Sequence, residues 1–326
     1  MLLDGSDAAA IDRGAGLLAA GELVAFPTET VYGLGARADD ERAVAKIFQA
    51  KGRPTDHPLI VHVAESAAAT RFASRLPPLA QRLMTAFWPG PLTLILPRAD
   101  GVAAAAAGGQ PSIGLRCPSH PVAQALLQAA AGLGVLGVAA PSANRFGRIS
   151  PTCAAHVIGE FGDAVAVLDG GVCALGIESS IVDCSRAHPV LLRPGVLTRA
   201  QIEAAAGEPL HDADANAPRA PGTLAAHYAP NAAVRLMSTQ ALRSALQLIG
   251  DQPLKLAVYS RSLPLGGAGD VRQRRMPLLP EQAAHELFAV LREFDAEGVQ
   301  LIWVEEPPAD PAWDGVRDRL LRAAAS

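Results

Sequence analysis

The side chains best suited to bind a polar ligand cluster in a few short stretches of the chain. Thr28, Glu29 and Thr30 crowd three hydrogen-bonding groups into one turn after Pro27. That proline stops a short apolar strand over residues 22–26, because it cannot donate to a ladder. Gly33 and Gly35 follow, where backbone can approach a ligand or take a positive φ. Lys51 and Arg53 then put two cations at a glycine-proline stop, and His62 lies on the next strand. Lysine occurs only at positions 46, 51 and 255, so a lysine here departs from the chain's general use of arginine. A compact ammonium acts as a point charge on phosphate, whereas a guanidinium fork, as at Arg116, matches both oxygens of a carboxylate. Ser142, Asn144, Ser150 and Ser179 add neutral donors. Each residue also has a purely structural explanation. Cations at a helix C-terminus complement the macrodipole, Ser142 and Asn144 can cap a turn, and Arg116 and Arg193 can sit in partly buried ion pairs.

The elements that position these residues follow from apolar periodicity and punctuation. Asp39 and Asp40 are N-cap candidates for a helix with Val44, Ile47 and Phe48 on one face. The helix runs out at Lys51, which predicts an exposed end where replacing Lys51 changes stability by only about 0.5 kcal/mol. Further helices are expected at 7–20, 66–75, 79–87, 120–131 and 152–161, and after the Thr198 cap to about 206. Strands are expected at 59–63, 92–96, 112–116, 135–140, 165–169, 179–183 and 190–193. The Ala-rich run 103–110 reads as a mobile loop. Strands and helices intermix without a strict βαβ period, so a mixed α/β sheet is expected. Residues 207–232 form a linker of polar, then Ala/Pro/Gly-rich composition. Beyond it, strands at 233–237, 255–259, 271–276 and 300–304 alternate with helices at 239–249, 280–293 and 311–325. That pattern suits a small Rossmann-like α/β domain without the Gly-rich dinucleotide fingerprint.

Composition bounds the function. The chain has 326 residues, enough for two domains, and a net charge of −4, which argues against coating nucleic acid by bulk charge. Four cysteines without a CxxC pair fit a reducing, cytoplasmic compartment. No signal peptide and no run of about eighteen apolar residues is seen, so no membrane span is expected. Histidines form no HExxH or Cys/His cluster, and protein-bound metal is not expected. No Walker A motif is present, so any bound ATP must have its phosphates held by scattered side chains.

Taken together and in order, these stretches resemble the signature of the YrdC-type threonylcarbamoyl-AMP synthases. PTETVYGLG stands at 27–35, and a KxRP…PL…H segment at 51–62. SIGLRCPSHP at 112–121, APSANRFGRISP at 140–151, GIESSIVD at 176–183 and LLRPG at 191–195 extend the match to nearly all of residues 10–205. The resemblance implies a YrdC-like twisted mixed sheet with flanking helices over residues 1–206. It further implies a linker and lid over 207–232, and a smaller C-terminal domain of Sua type over 233–326. The implied reaction joins L-threonine, bicarbonate and ATP into threonylcarbamoyladenylate and diphosphate, for N6-threonylcarbamoyladenosine in tRNA. Mg²⁺ enters with ATP, and no protein side chain is assigned to it. Lys51 and Arg53 are then the catalytic cations. Thr28, His62, Ser112, Arg116, Ala140 (through its backbone) and Ser179 would hold threonine. Lys51, Thr55, Ser142, Asn144, Ser150 and Arg193 would hold ATP. His227 and Tyr228 belong to the lid, where the chain keeps PG and HYAP but has Thr-Leu-Ala-Ala at 223–226 in place of bulkier or basic family residues. Implied partners are downstream tRNA threonylcarbamoyl-transfer proteins, with weak tRNA binding.

Two rival readings differ in class. YrdC-type folds resemble double-stranded RNA binders, and Arg37, Lys51, Arg53, Arg116, Arg145, Arg148 and Arg193 could form a basic concave face. An acidic chain without interleaved aromatics weighs against that. Carbamoyl transfer, as in hydrogenase-maturation proteins with a similar domain, would need acylphosphatase and zinc-finger regions for which the chain has neither length nor cysteines.

Overall fold

The computed structural model describes residues 1–249, 254–263 and 271–325. It divides into two compact units, Met1–Phe146 with Ser150–Thr223, and Gly147–Ile149 with Leu224–Ser326.

The first unit is built on a mixed sheet. Its strands are β1 (Leu2–Asp4), β2 (Val24–Phe26), β3 (Gly33–Arg37), β4 (Ile60–His62), β5 (Leu92–Pro97), β6 (Ser112–Arg116), β7 (Val138–Ala139), β8 (Ala166–Asp169), β9 (Ser180–Asp183), β10 (Val190–Arg193) and β11 (His211–Asp212). Among the described residues their order is β1-β8-β2-β3-β7-β4-β6-β5-β9-β10-β11. Helices α1 (Ala8–Ala19), α2 (Glu41–Lys51), α3 (Pro78–Phe87), α4 (Pro121–Gly132), α5 (Ala154–Phe161) and α6 (Arg199–Ala206) pack around it. The sheet is covered on both faces: Val24 and Phe26 of β2 join one apolar cluster, while Ala25 between them joins the other. That division is the period-two alternation of a strand.

Local sequence explains the ends. Asp40 caps α2 by accepting from the Arg42 and Ala43 amides, and Gly52 closes it in the left-handed region at φ 65°. Thr198 and Gln201 form a capping box at α6. The Gly33-Leu34-Gly35 run lies in the strand β3, antiparallel to β2. Glycine is needed at 35 for space, because a Cβ there would lie 2.8 Å from both Phe26 Cε1 and Val138 Cγ1.

Other expectations shift. Residues 66–71 form a 3₁₀ helix, shorter than the helix expected to 75. Strand β7 keeps only two residues of the expected six. The run 103–110 is packed: Ala106 and Ala107 are fully buried, and the Leu59 amide donates to Ala106 O at 2.7 Å. Small side chains there allow close packing, and the low-complexity look concealed it. The start of the linker also adds β11 to the sheet edge, parallel to β10.

The second unit holds four parallel strands among its described residues, β12 (Ala233–Met237), β13 (Leu256–Ser260), β14 (Arg272–Arg275) and β15 (Leu301–Glu305), in the order β12-β15-β13-β14. Helices α7 (Thr239–Ile249), α8 (Pro280–Ala296) and α9 (Asp314–Ala324) accompany them. Leu242, Leu256, Val258, Leu263 and Val271 form a core cluster. The expected strand–helix alternation is therefore present, and the sheet is wholly parallel.

Candidate active site

Strand ends of the first sheet bring most of the singled-out residues into three buried polar groups. The first surrounds Arg116, at the end of β6 and in register with His62 on β4. Arg116 is 4% exposed. Its Nη1 donates to Thr30 Oγ1 at 2.9 Å, its Nε to Gly90 O at 3.3 Å, and its Nη2 lies 2.7 Å from Glu29 Oε1. That last pair is close without being aligned as a hydrogen bond. Glu29 Oε2 accepts from the Ser119 amide at 3.1 Å. Thr28 Oγ1 donates to Val31 O at 2.7 Å and lies 2.7 Å from Thr30 Oγ1, so it shapes the turn and joins the group through Thr30. His62 packs edge-on to Phe26, and its Nδ1 has no hydrogen-bond partner. Burial, and then the positive charge of Arg116, lowers its pKa to about 3, so the ring is neutral near pH 7.

The second group is centred on Lys51. It is 3% exposed, so the expected exposed helix end is corrected. Helix α2 delivers its Nζ to Ser142 O at 2.6 Å and to Asn144 O. Burial, with Arg53 nearby, pushes the ammonium well below its usual range. Replacing Lys51 therefore disturbs two buried carbonyl contacts as well as a charge, and the small stability effect expected from an exposed position no longer applies. Arg53 Nη2 donates to Pro58 O at 2.8 Å, and its guanidinium lies 5.6 Å from the Phe146 ring centroid. Asn144 turns its amide to Arg145 O at 2.7 Å.

The third group joins Ser179, Thr93 and Arg193. Ser179 Oγ lies 2.8 Å from Thr93 Oγ1, and Arg193 donates to Ser179 O from Nε and Nη2 at 3.1 and 2.9 Å. Arg193 Nη1 reaches Pro221 O at 2.9 Å, so it also secures the linker backbone. Ser150 Oγ donates to Glu178 Oε1.

The remaining candidates are placed differently. Ser112 is buried at the far end of β6 from Arg116. The Ala140 amide is taken by Ile60 O at 2.9 Å, which leaves its carbonyl as the backbone group to offer. Thr55 lies in an exposed turn. His227 and Tyr228 belong to the second unit. There Tyr228 packs 5.5 Å from Phe288, and the Arg319 guanidinium lies 5.3 Å from its ring centroid. Sequence reasoning left Glu29, Thr30, Thr93 and Glu178 without roles. Glu29 and Glu178 stand inside quoted motifs, so their position was the available signal.

Among the described residues no group of three or more His, Cys, Asp or Glu is placed to hold a metal ion. All four cysteines are free. Burial pushes the Cys173 thiol up to about 12 and raises those of Cys117 and Cys184, which makes them poor nucleophiles.

Comparison with known proteins now decides the family. Residues 16–195 match the family described as "Telomere recombination", and residues 197–325 match the "Threonylcarbamoyl-AMP synthase, C-terminal domain". A threonylcarbamoyl-AMP synthase of Pyrococcus abyssi is 39% identical over 95% of this chain and 92% of its own length. The chain belongs to the threonylcarbamoyl-AMP synthase family. A Bacillus subtilis member is likewise 39% identical, over 96% of this chain and 92% of its own. The family's two-domain fold recurs in the structure of P. abyssi Sua5 complexed with L-threonine. That structure superposes with a TM-score of 0.87 at 36% identity, covering 98% of this chain and 95% of that one. A His-to-Ala, Tyr-to-Ala double variant of the same Sua5 gives 0.88 at 34% identity, covering 99% and 96%. The RNA-binding alternative finds no support here. Lys51, Arg53, Arg116 and Arg193, four of its seven basic residues, are buried and do not form a surface.

Proposed function

We propose that this chain joins L-threonine, bicarbonate and ATP into threonylcarbamoyladenylate and diphosphate, with Arg116 on the amino-acid carboxylate and Lys51 on the phosphates. The observation that supports it best is the pair of buried cations at strand and helix ends, in a chain of this family. Arg116 is already held by Thr30, Gly90 and Glu29. Its orientation is thus set before substrate arrives, which lowers the ordering cost of binding. Lys51 is steered by two carbonyls, and a bound phosphate would favour its charged form against the burial that disfavours it. Thr28, His62, Ser112, Ala140 and Ser179 complete the proposed threonine pocket. Arg53, Thr55, Ser142, Asn144, Ser150 and Arg193 complete the nucleotide side.

In the reaction, the threonine amine bonds to the carbon of bicarbonate as a C–O bond breaks and water leaves. An oxygen of the resulting carbamate then forms a bond to the α-phosphorus of ATP. The bond from that phosphorus to the pyrophosphate oxygen breaks, and its electron pair leaves with pyrophosphate. Fixed cations stabilise charge growing on the phosphate oxygens, and no protein nucleophile is needed. Mg²⁺, when bound, neutralises phosphate charge. With no acidic cluster among the described residues, the triphosphate itself would be its main ligand. Residues 1–206 would be the catalytic domain, 207–232 the linker and lid, and 233–326 the C-terminal domain. The lid would exclude water from a labile carbamate and anhydride. A cytoplasmic enzyme serving tRNA threonylcarbamoyl-transfer proteins, with weak tRNA binding of its own, fits this reading. No described helix is long and apolar enough to cross a membrane.

Pyrophosphate release with ATP, Mg²⁺, bicarbonate and one amino acid at a time tests the proposal. Threonine should be turned over best, serine weakly and valine least, because a pocket that pairs a hydroxyl is left unsatisfied without one. Lys51→Ala should slow release roughly 10²–10³-fold. Equal turnover of valine and threonine, or an unchanged Lys51→Ala rate, would overturn the assignment.

A further inference from the structure

The second unit carries a polar cluster that the synthase reaction does not use. Strands β12, β13 and β15 run parallel and finish together, with Met237 opposite Glu305 and Tyr259 opposite Val304. Ligands of open α/β sheets bind outside such carboxyl ends. Here Glu305 is 1% exposed and both of its oxygens are surrounded. Oε2 accepts from Ser260 Oγ at 2.6 Å, the Arg261 amide at 2.7 Å and the Ser262 amide at 2.9 Å. Oε1 accepts from Thr239 Oγ1 at 2.7 Å and Ser262 Oγ at 2.6 Å, with Arg261 Nη2 at 3.5 Å. Successive backbone N–H groups converging with hydroxyls and a guanidinium make the concavity that elsewhere holds phosphate.

We propose that residues 239 and 260–262 form an oxyanion receptor whose resident ligand is the chain's own Glu305 carboxylate. A carboxylate has about four lone-pair sites, and six hydrogen bonds fill them, so the receptor is closed to nucleotide phosphate in the intact chain. Its donors are supplied by the end of β13 with the loop after it and by the start of α7, not by β15, which carries Glu305. The receptor is thus built apart from its ligand. Burial, the largest single influence, pushes the Glu305 pKa up. The hydrogen bonds from Ser260, Ser262 and Thr239 outweigh it and leave the value at about 2. The cluster therefore favours a full negative charge despite its burial.

Removing the ligand while keeping the receptor tests this on the full chain. Glu305→Ala should melt below wild type, and inorganic phosphate or acetate should restore its midpoint in a saturable way. Sodium chloride at equal ionic strength should not. If Glu305→Ala does not fold unaided, refolding with and without phosphate reads the same effect. Phosphate that stabilises through the first unit raises wild type equally, so the difference between the two proteins is the measure. Adding Ser262→Ala to Glu305→Ala should weaken the apparent phosphate affinity roughly tenfold, the scale of one hydrogen bond to a charged group. Equal phosphate responses in wild type and Glu305→Ala, or a rescue that ignores Ser262, would overturn the proposal.

Discussion

Glu29, in the turn after β2, and Glu305, at the end of β15, are both buried carboxylates, yet they are treated in opposite ways. Glu305 has one hydroxyl and two backbone amides on Oε2 and two hydroxyls on Oε1, so each oxygen is fully partnered. Glu29 has one amide on Oε2 and an imperfectly aligned guanidinium on Oε1, and His62 Nδ1 nearby on the same sheet has no partner. A buried charge is costly unless it is paired and hydrogen-bonded. The Glu305 carboxylate is therefore saturated as it stands. The incomplete one retains donors and acceptors for something else, which in the proposed function is threonine.

The largest effect is expected where the incomplete cluster is broken. Glu29→Ala leaves the Arg116 guanidinium buried without its carboxylate and should lower stability by about 3–5 kcal/mol. The double replacement Glu29→Leu with Arg116→Met should recover much of that loss, because an apolar pair avoids the desolvation cost. It should not recover pyrophosphate release. Denaturant melts of the three proteins check this. A Glu29→Ala loss below about 1 kcal/mol would mean that water already solvates the pair, and the contrast with Glu305 would fail.

A smaller effect is expected from acid. His62 has a pKa of about 3 in the fold against an ordinary 6.5. Below pH 6.5 the unfolded chain takes up a proton at this position and the folded chain does not, so stability falls as pH falls. The slope approaches about 1.4 kcal/mol per pH unit for one proton, or roughly 1–2 kcal/mol between pH 6.5 and 5. Glu305 works in another window. Its pKa is depressed from 4.5 to about 2, so its contribution is intact above 4.5 and is lost only as pH falls further. Melts from pH 7 to 5 thus read the first unit, and His62→Asn should make the slope shallower, leaving the contributions of His57 and His120, whose pKa values burial also lowers. Parallel curves for the two proteins would place His62 in contact with water.

The sequence carried local signals better than distant ones. Asp40, Gly52 and Thr198 mark helix ends through hydrogen bonds made within a few residues, and those ends stand where their chemistry put them. The second unit was legible because each strand and helix has a clear apolar period. Strand β3 was not, because its glycines signal a turn locally, while the need for them comes from Phe26 and Val138. Lys51 was legible as a cation at a helix end. Its burial depends on carbonyls from Ser142 and Asn144, some ninety residues on, which no local pattern encodes. Glu305 gave no signal at all, since its donors come from two other segments.

The smallest effect is expected at the linker, where buried and exposed contacts lie side by side. Ala220 joins the apolar cluster of Ile60, Ile95 and Ile181, and Arg193 holds Pro221 O. Next to them, Arg219 Nη1 reaches Asp56 Oδ2 at 2.6 Å, but these side chains are 54% and 59% exposed. Gln110 holds the Arg219 backbone from both sides, accepting from its amide at 2.9 Å and donating to its carbonyl at 3.1 Å. The strap is therefore secured by its main chain and by Ala220, and the ion pair is screened by water and salt. Arg219→Ala should leave the thermal midpoint within about one degree of wild type. It should also leave cleavage by a protease over residues 216–223 unchanged at low and high salt. Faster cleavage in the variant, at low salt only, would show that an exposed charge pair fastens this segment, and burial would lose its place as the property that separates strong contacts from weak ones in this protein.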